Sequence, residues 1–257
     1  MAGTIRIGIG GWTFEPWRGV FYPEGLAQKK ELSFAAEALS SIEINGTFYS
    51  TFKADSWRKW REETPDDFVF SVKASRYCTN RRELAGMGDS MAKFLGQGLS
   101  ELGPKLGPIN WQFAGTKQFD AADFEAFLKL LPKEQDGVPL RHALEVRNES
   151  FDCPAFFDLA RAYGCAIVLA EGDEDGEVEG KSWPRIDEAT ADFCYLRLIG
   201  TREDEPLGFS EAELDGIAAD LRARAARGDV FAYVISGAKV RNPAAAMALI
   251  ERISGKG

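Results

Sequence analysis

The chain has 257 residues, of which 45% are hydrophobic and 28% are charged, and its formal net charge is −9. This length is typical of one α/β barrel or two modest domains, and the apolar fraction excludes a disordered chain. No segment approaches the roughly 18 consecutive apolar residues of a membrane span, and the first residues lack the basic stretch and apolar run of a secretory signal, so we expect a cytoplasmic protein with no membrane partner.

Short β-type runs alternate with helix-type runs along the whole chain. The β-type runs are 5–12, 41–48, 68–74, 109–113, 143–148, 166–170, 193–199 and 230–236. The helix-type runs, with apolar residues three and four positions apart, are 26–39, 56–63, 91–102, 121–131, 154–163, 211–226 and 243–253. Strands that alternate with helices form parallel βαβ units, and eight of them predict a single (β/α)8 TIM-like barrel over residues 1–257. A doubly wound sheet is the alternative.

Several predicted helices have suitable residues at their ends. Asp120 is a candidate N-cap, Pro154 and Pro243 suit a first helical turn, and Gly164 and Gly228 suit helix exits.

Two predicted loops are longer than the others. Residues 75–89, after the third strand, contain Arg76, Tyr77, Arg81 and Arg82, and residues 171–187, after the sixth, contain an acidic run. In a barrel both loops follow carboxyl ends of strands, where active sites of this fold are built. The acidic run alone is more typical of a solvated loop.

The predicted strands alternate between apolar and polar residues. Helices cover the outside of a barrel, so the apolar set must face outward and the polar set must face the lumen. The inward set contains Glu43, Lys73, Asn110, Gln112, Glu145, Arg147, Tyr195 and Arg197. Three cations against two carboxylates leave one positive charge, which a bound anion would complete. The alternative is a network of ion pairs that needs no ligand.

The metal-ligand chemistry of the sequence is sparse. Four scattered cysteines and a single histidine, His142, disfavour zinc, which usually draws on several thiolates or imidazoles. We interpret the cysteines as reduced, mostly buried thiols. Magnesium or manganese bound by carboxylates stays open.

Six sequence motifs together resemble the domain of unknown function 72 family, the YecE-like proteins. They are GGWTFEPWRGVFYP (10–23), IEINGTFY (42–49), TPDDFVFSVK (64–73) after Trp57 and Trp60, LGPINWQF (106–113), EVRNESF (145–151) and FCYLRLIG (193–200). The resemblance covers nearly the whole chain and implies a TIM-like barrel, with no settled activity and a distant likeness to the endonuclease IV group.

The resemblance also carries over individual positions: Trp12, Trp17, Tyr22, Glu43, Asn45, Phe48, Tyr49, Trp57, Trp60, Lys73, Gln112, Glu145, Arg147, Tyr195, Arg197 and Gly200. Histidines frequent in the family are replaced here by Asn80, Asn148 and Ile199. Glu171 replaces an aspartate that family members have after the sixth strand, and Ser236 and Gly237 replace a pair of asparagines near the end of the last strand. A metal site of the endonuclease IV type, which needs several histidines, is therefore disfavoured.

We assign candidate catalytic roles to Glu43, Lys73 and Glu145. The glutamates could act as general acid and base or hold Mg²⁺. Lys73 could be a base or a Schiff-base amine, but the role of ion-pair partner to a glutamate is favoured.

Candidate binding residues surround this group. Arg147 and Arg197 form a fork suited to a carboxylate or phosphate. The other candidate binding residues are Trp12, Asn45, Tyr49, Gln112 and Tyr195. Core packing is an equal alternative for the aromatic residues of the first two motifs. Gly8, Gly10 and Gly11 do not match a dinucleotide fingerprint and indicate room for a large neighbour or for a ligand.

The leading functional hypothesis is an enzyme, a hydrolase or a lyase, that binds a small phosphorylated or carboxylated metabolite and uses a carboxylate for acid/base chemistry. The alternative is a non-catalytic nucleic-acid or protein-binding barrel that uses Arg76, Arg81 and Arg82. The net charge of −9 argues against broad nucleic-acid binding, although a local basic cleft would override it.

Overall fold

The computed structural model describes residues 2–171 and 184–255. Eight parallel strands close into a barrel in which each strand pairs with its neighbours in chain order and the last pairs with the first, as the sequence predicts. The strands are β1 Ile5–Gly10, β2 Ser41–Ile44, β3 Val69–Lys73, β4 Leu106–Gln112, β5 His142–Glu145, β6 Ala166–Glu171, β7 Phe193–Leu198 and β8 Asp229–Val234. Most of the acidic run after β6 lies outside the described residues.

Helices follow the strands on the outside. They are α1 Glu31–Ala38, α2 Ala54–Glu62, α3 Arg76–Thr79, α4 Gly88–Leu95, α5 Ala121–Leu128, α6 Pro154–Ala162, α7 Glu211–Ala225 and α8 Asn242–Ser254. The structure corrects the single helix predicted over 91–102, because α4 ends before Gly98, whose φ is 112°, and a 3-10 segment follows at Leu99–Lys105. An unpredicted hairpin pairs Glu134–Gln135 with Val138–Pro139.

The predicted helix ends are mostly confirmed. The Asp120 carboxylate accepts a hydrogen bond from the main-chain nitrogen of Asp123, and Gly164, with a φ of 63°, follows α6. Pro154 and Pro243 lie in the first turns of α6 and α8. Gly228 has a different role, because a Cβ there would lie 1.9 Å from the Asp192 carbonyl oxygen.

The glycines of β1 allow close approach of neighbouring chain segments. A Cβ on Gly8 would lie 1.8 Å from the Ser41 carbonyl oxygen of β2, and one on Gly10 would lie 2.8 Å from the Asn45 amide nitrogen. The room that the sequence indicated at Gly8 is therefore occupied by the main chain of β2.

The barrel interior has two layers of different chemistry. Its lower layer contains a cluster of mostly apolar side chains: Val69, Ala143, Ala166, Val168, Phe193, Tyr195, Phe231 and Tyr233. Charged residues lie above it, at the carboxyl ends of the strands. The predicted facing is confirmed, since Ile42, Phe70 and Leu144 pack in the outer core while Glu43 and Glu145 are buried inside. The expectation of a charged lumen thus holds for its upper layer.

In the part of the chain that is described, no helix combines the length and the apolar character that crossing a bilayer requires.

Candidate functional site

Glu145, the last residue of β5, is the best-connected carboxylate of the upper layer. Its oxygens accept hydrogen bonds from Arg197 at 2.8 and 2.9 Å and from Arg147 at 2.7 and 2.9 Å. The side-chain amides of Gln112, at 2.7 Å, and Asn110, at 2.9 Å, donate to it as well. The register of β4 on β5 pairs Gln112 with Glu145, which explains why their side chains meet.

Glu43, on β2, is joined to the same group from the opposite side of the lumen. It accepts hydrogen bonds from the Tyr195 hydroxyl at 2.7 Å, from Asn110 at 3.1 Å and from Arg197 at 3.2 Å. Arg197 and Asn110 therefore bridge the two glutamates. We call the connected set the carboxylate cluster: Glu43, Asn110, Gln112, Glu145, Arg147, Tyr195 and Arg197.

Burial and charge act in opposite directions on the two carboxylates. Burial alone raises the pKa of Glu43, but Arg197, Lys73 and the Tyr195 hydroxyl outweigh it, and the pKa lies below its usual value. The pKa of Glu145 is also lowered, because Arg197 and Arg147 outweigh its burial. Both glutamates are therefore ionised at neutral pH. Burial and the neighbouring Glu43 raise the pKa of Tyr195, so its hydroxyl stays protonated.

Lys73, at the end of β3, lies beside the carboxylate cluster without joining it. Among the described residues, no carboxylate lies within ion-pair distance of its ammonium, which corrects the favoured expectation of an ion-paired lysine. Its Nζ lies 4.4 Å from the centre of the Phe48 ring. Burial and Arg197 lower the pKa of Lys73 to about 8, with Glu145 and Glu43 acting in the opposite direction.

The charges of the carboxylate cluster and of Lys73 can be counted separately. The two glutamates and the two arginines of the carboxylate cluster balance each other. Lys73 therefore supplies the single excess positive charge that the sequence predicts for the lumen. The Arg147 side chain is 24% exposed, whereas that of Arg197 is buried.

Three predicted binding residues lie outside the carboxylate cluster. The Trp12 ring packs edge-on against Trp60, with centroids 5.2 Å apart, which favours the packing alternative. The Asn45 amide donates to the Glu43 carbonyl oxygen at 3.3 Å. Tyr49 is 66% exposed, and the Arg76 guanidinium lies 5.6 Å from its ring.

Asn110 belongs to the carboxylate cluster but was not among the candidate catalytic or binding residues predicted from the sequence. Alternation along the fourth strand placed it on the inward face, which was the available signal. Its hydrogen bonds to both glutamates depend on distances across the lumen that a sequence pattern does not contain.

The loop after β3 borders a separate cavity of about 930 Å³. Its lining includes Asn80, Arg81 and Arg82. Lys117 and Asp123, which also line it, form an ion pair with a distance of 2.6 Å.

Of the residues that replace family histidines, Asn148 has a structural role, because its side-chain amide donates a hydrogen bond to the Gly115 carbonyl oxygen at 2.8 Å. In residues 2–171 and 184–255, no three His, Cys, Asp or Glu side chains are grouped so that they could hold a metal ion.

Eight parallel strands with polar side chains converging at their carboxyl ends define a TIM-barrel protein whose candidate site lies where this fold places its active sites. The chain belongs to the family described as Protein of unknown function DUF72, whose family model matches residues 6–257.

Two curated relatives carry UPF0759 names. YunF of Bacillus subtilis is 29% identical over 174 residues, which are 65% of this chain and 58% of that protein. YecE of Escherichia coli is 30% identical over 142 residues, 54% of this chain and 48% of that protein. The matches thus span about half the length of these curated relatives.

Solved structures share the fold. A DUF72 family protein of Thermotoga maritima has a TM-score of 0.76 and 21% identity, with 99% of this chain and 100% of that chain covered. The 3-keto-D-glucoside 4-epimerase YcjR of Escherichia coli has a TM-score of 0.54 and 12% identity, with 98% and 100% covered. Likeness at these identities shows the fold alone.

Proposed function

We propose that this protein is an enzyme that binds a small phosphorylated or carboxylated metabolite at the carboxyl ends of its strands. The observation that carries the proposal is the charge distribution of the site: the carboxylate cluster is balanced in itself, and Lys73 beside it has no carboxylate contact among the described residues. Among the described residues this partly buried ammonium forms no direct ion pair, which is costly, and an anion at Lys73 and Arg147 would offset its charge.

The roles within the proposed site follow from the pKa shifts. Both glutamates stay ionised, and all four of their carboxylate oxygens already accept hydrogen bonds. We therefore assign them the positioning of Arg147 and Arg197 rather than the carboxylate acid/base role expected from the sequence. Lys73, with a pKa of about 8, suits proton transfer near neutral pH.

Thermal unfolding with added phosphate or citrate tests the proposal. We expect either anion to raise the melting temperature of the wild type, because a ligand that binds only the folded state stabilises it. Lys73→Met and Arg147→Gln should each lose most of that shift. Arg197 is unsuitable for this test, because removing it would strand two buried carboxylates at a cost of about 3–5 kcal/mol.

Arg141→Gln is the matched control. Arg141 is another partly exposed arginine paired with a carboxylate, Asp229, but it precedes β5 and so lies at the opposite end of the barrel. This variant should keep the full response to anions. The proposal fails if no anion raises the melting temperature of the wild type, or if Arg147→Gln responds as strongly as Arg141→Gln.

A second candidate function, single-stranded nucleic-acid binding without catalysis, rests on an exposed surface at the same end of the barrel. The Arg76 guanidinium lies 5.6 and 5.5 Å from the rings of Tyr49 and Tyr77, which are 66% and 53% exposed. Aromatic rings beside arginine form a stacking surface for bases. This function requires binding of oligonucleotides that weakens as salt increases and that Tyr49→Ala and Tyr77→Ala reduce. Absence of binding at low salt would remove it.

A further inference from the structure

We infer that Lys73 forms an imine with the carbonyl group of its ligand, so that the ligand class is an aldehyde or ketone carrying a phosphate or carboxylate. This inference rests on the proposed anion site and specifies which chemistry occurs there. It follows from the surroundings of the amine, from its separation from carboxylates among the described residues and from its place at the carboxyl end of β3.

The surroundings of Lys73 leave the amine available to a ligand. A lysine that only stabilises a fold normally donates to carboxylates or carbonyl oxygens, as Lys105 does to the carbonyl oxygens of Arg61 and Thr64 at 2.7 and 2.8 Å. Among the described residues, the Lys73 ammonium has no such acceptor, and its Nζ instead lies over the Phe48 ring. Lys73 lies at the carboxyl end of β3 and is partly exposed, unlike the four buried residues of the strand that precede it.

Burial, with a smaller contribution from Arg197, increases the fraction of Lys73 that is the neutral amine, the form that attacks a carbonyl. Burial and the adjacent Arg197 disfavour the ammonium, and the pKa of about 8 leaves roughly one amine in ten neutral at pH 7. For an ordinary lysine, with a pKa near 10.4, the neutral fraction is about one in 2,500. The proposed anion site at Arg147 attracts the anionic part of the ligand, which brings its carbonyl group near the amine.

The covalent step is balanced without an oxidant or reductant. The lone pair of neutral Nζ forms a bond to the carbonyl carbon while the carbonyl π electrons move to oxygen, which takes up a proton. The resulting carbinolamine loses water as the C=N bond forms, and both hydrogens of Nζ are given up in the process. When its nitrogen takes up a proton, the resulting iminium ion accepts electrons from a C–H or C–C bond at the neighbouring carbon, so that this bond breaks more easily, which is the chemistry of a lyase.

Reductive trapping on the full-length chain tests the inference. Glycolaldehyde phosphate is added with cyanoborohydride, which reduces an imine to a stable secondary amine, and digestion with mass spectrometry locates the modified lysines. Glycolaldehyde, which lacks only the phosphate, is the matched probe. We expect glycolaldehyde phosphate to modify Lys73 at least about tenfold faster than Lys239, a ratio equivalent to about 1.4 kcal/mol. Glycolaldehyde should show a smaller preference.

Lys239 is the internal control because its amine also lies over an aromatic ring, 4.3 Å from the centre of Phe14, and burial also lowers its pKa. Arg147→Gln should reduce the preference for the phosphorylated probe, whereas Arg141→Gln should keep it. Modification of Lys73 at the rate of Lys239 or below overturns the inference. If phosphate nevertheless raises the melting temperature, the anion site stands and only the imine is wrong; if neither occurs, both proposals fall.

Discussion

At the scale of single residues, Lys73 is held in a state that costs stability. Its pKa falls to about 8 in the folded protein because of burial and Arg197, whereas an unfolded chain would give it a pKa near 10.4. Below pH 8 both states are protonated, and the folded state carries the full cost of the poorly solvated ammonium. Between pH 8 and about 10.4 the folded state releases its proton first, so the contribution of Lys73 to stability becomes less unfavourable as pH rises.

Lys73→Met should therefore stabilise the protein at neutral pH. We expect the free energy of unfolding at pH 7 to rise by roughly 1 kcal/mol, and the difference from the wild type to shrink as pH increases from 8 to 10.4. Urea unfolding at a series of pH values measures both effects. Lys129→Met serves as the control, because Lys129 is 60% exposed and paired with Glu125 on a helix surface. A variant that is less stable than the wild type at pH 7 would contradict this account of Lys73.

The sequence was sufficient to predict which site residues face the lumen, but it was not sufficient to predict which residues they contact. Alternation along each strand is a local property, and it placed Glu43, Glu145 and Arg197 in the lumen correctly. Which cation reaches which carboxylate depends on the stagger of strands around the barrel and on side-chain rotamers. The sequence favours Lys73 as the ion-pair partner of a glutamate and the two arginines as the binding site of a ligand anion. Among the described residues, it is Arg147 and Arg197 that form the ion pairs with the two glutamates.

At the scale of elements, the glycines divide into those that the barrel requires and those that it only tolerates. Gly8 lies where β1 passes the main chain of β2, and a Cβ there would come within 1.8 Å of the Ser41 carbonyl oxygen. Gly216 lies inside α7, where a Cβ would have no neighbour within 4 Å. The same substitution should thus have opposite effects at the two positions.

Gly8→Ala should destabilise the protein by about 3 kcal/mol, because β1 and β2 must move apart to admit the methyl group. Gly216→Ala should stabilise it by about 0.5–1 kcal/mol, because alanine loses less backbone entropy in a helix interior. Chemical denaturation of the two variants under identical conditions measures the contrast. If Gly8→Ala is as stable as the wild type, the close approach of β1 to β2 is wrong.

Element boundaries show where sequence periodicity stops being informative. The eight strands were predictable because each is a run of β-type residues that the outer helices and the lumen bury on both sides. The predicted helix over 91–102 kept its apolar spacing across Gly96 and Gly98, although the positive φ of Gly98 ends the helical path. The two-residue strands of the 134–139 hairpin are too short to show any alternation.

At the scale of the whole molecule, the carboxylate cluster joins distant parts of the chain. Its side chains come from β2, β4, β5 and β7 and from Arg147, two residues after the end of β5. The hydrogen bonds therefore connect the first half of the barrel with the second. Ring closure adds the pairing of β1 with β8. A barrel connected in this way should unfold as one cooperative unit, which is also what a single domain over residues 1–257 requires.

Two buried thiols test that cooperativity from opposite halves of the chain. Cys78, on α3, and Cys165, before β6, are 0% and 1% exposed, and burial raises the pKa of each to about 12, so neither reacts in the folded state. In a Cys153→Ser, Cys194→Ser background, we expect a thiol reagent to label both cysteines over the same range of urea, because both become accessible only when the barrel opens. Mass spectrometry of the two peptides from one sample measures this directly. Labelling of Cys165 at clearly lower urea than Cys78 would mean that the second half opens separately, and the cluster would then be a local contact between two units.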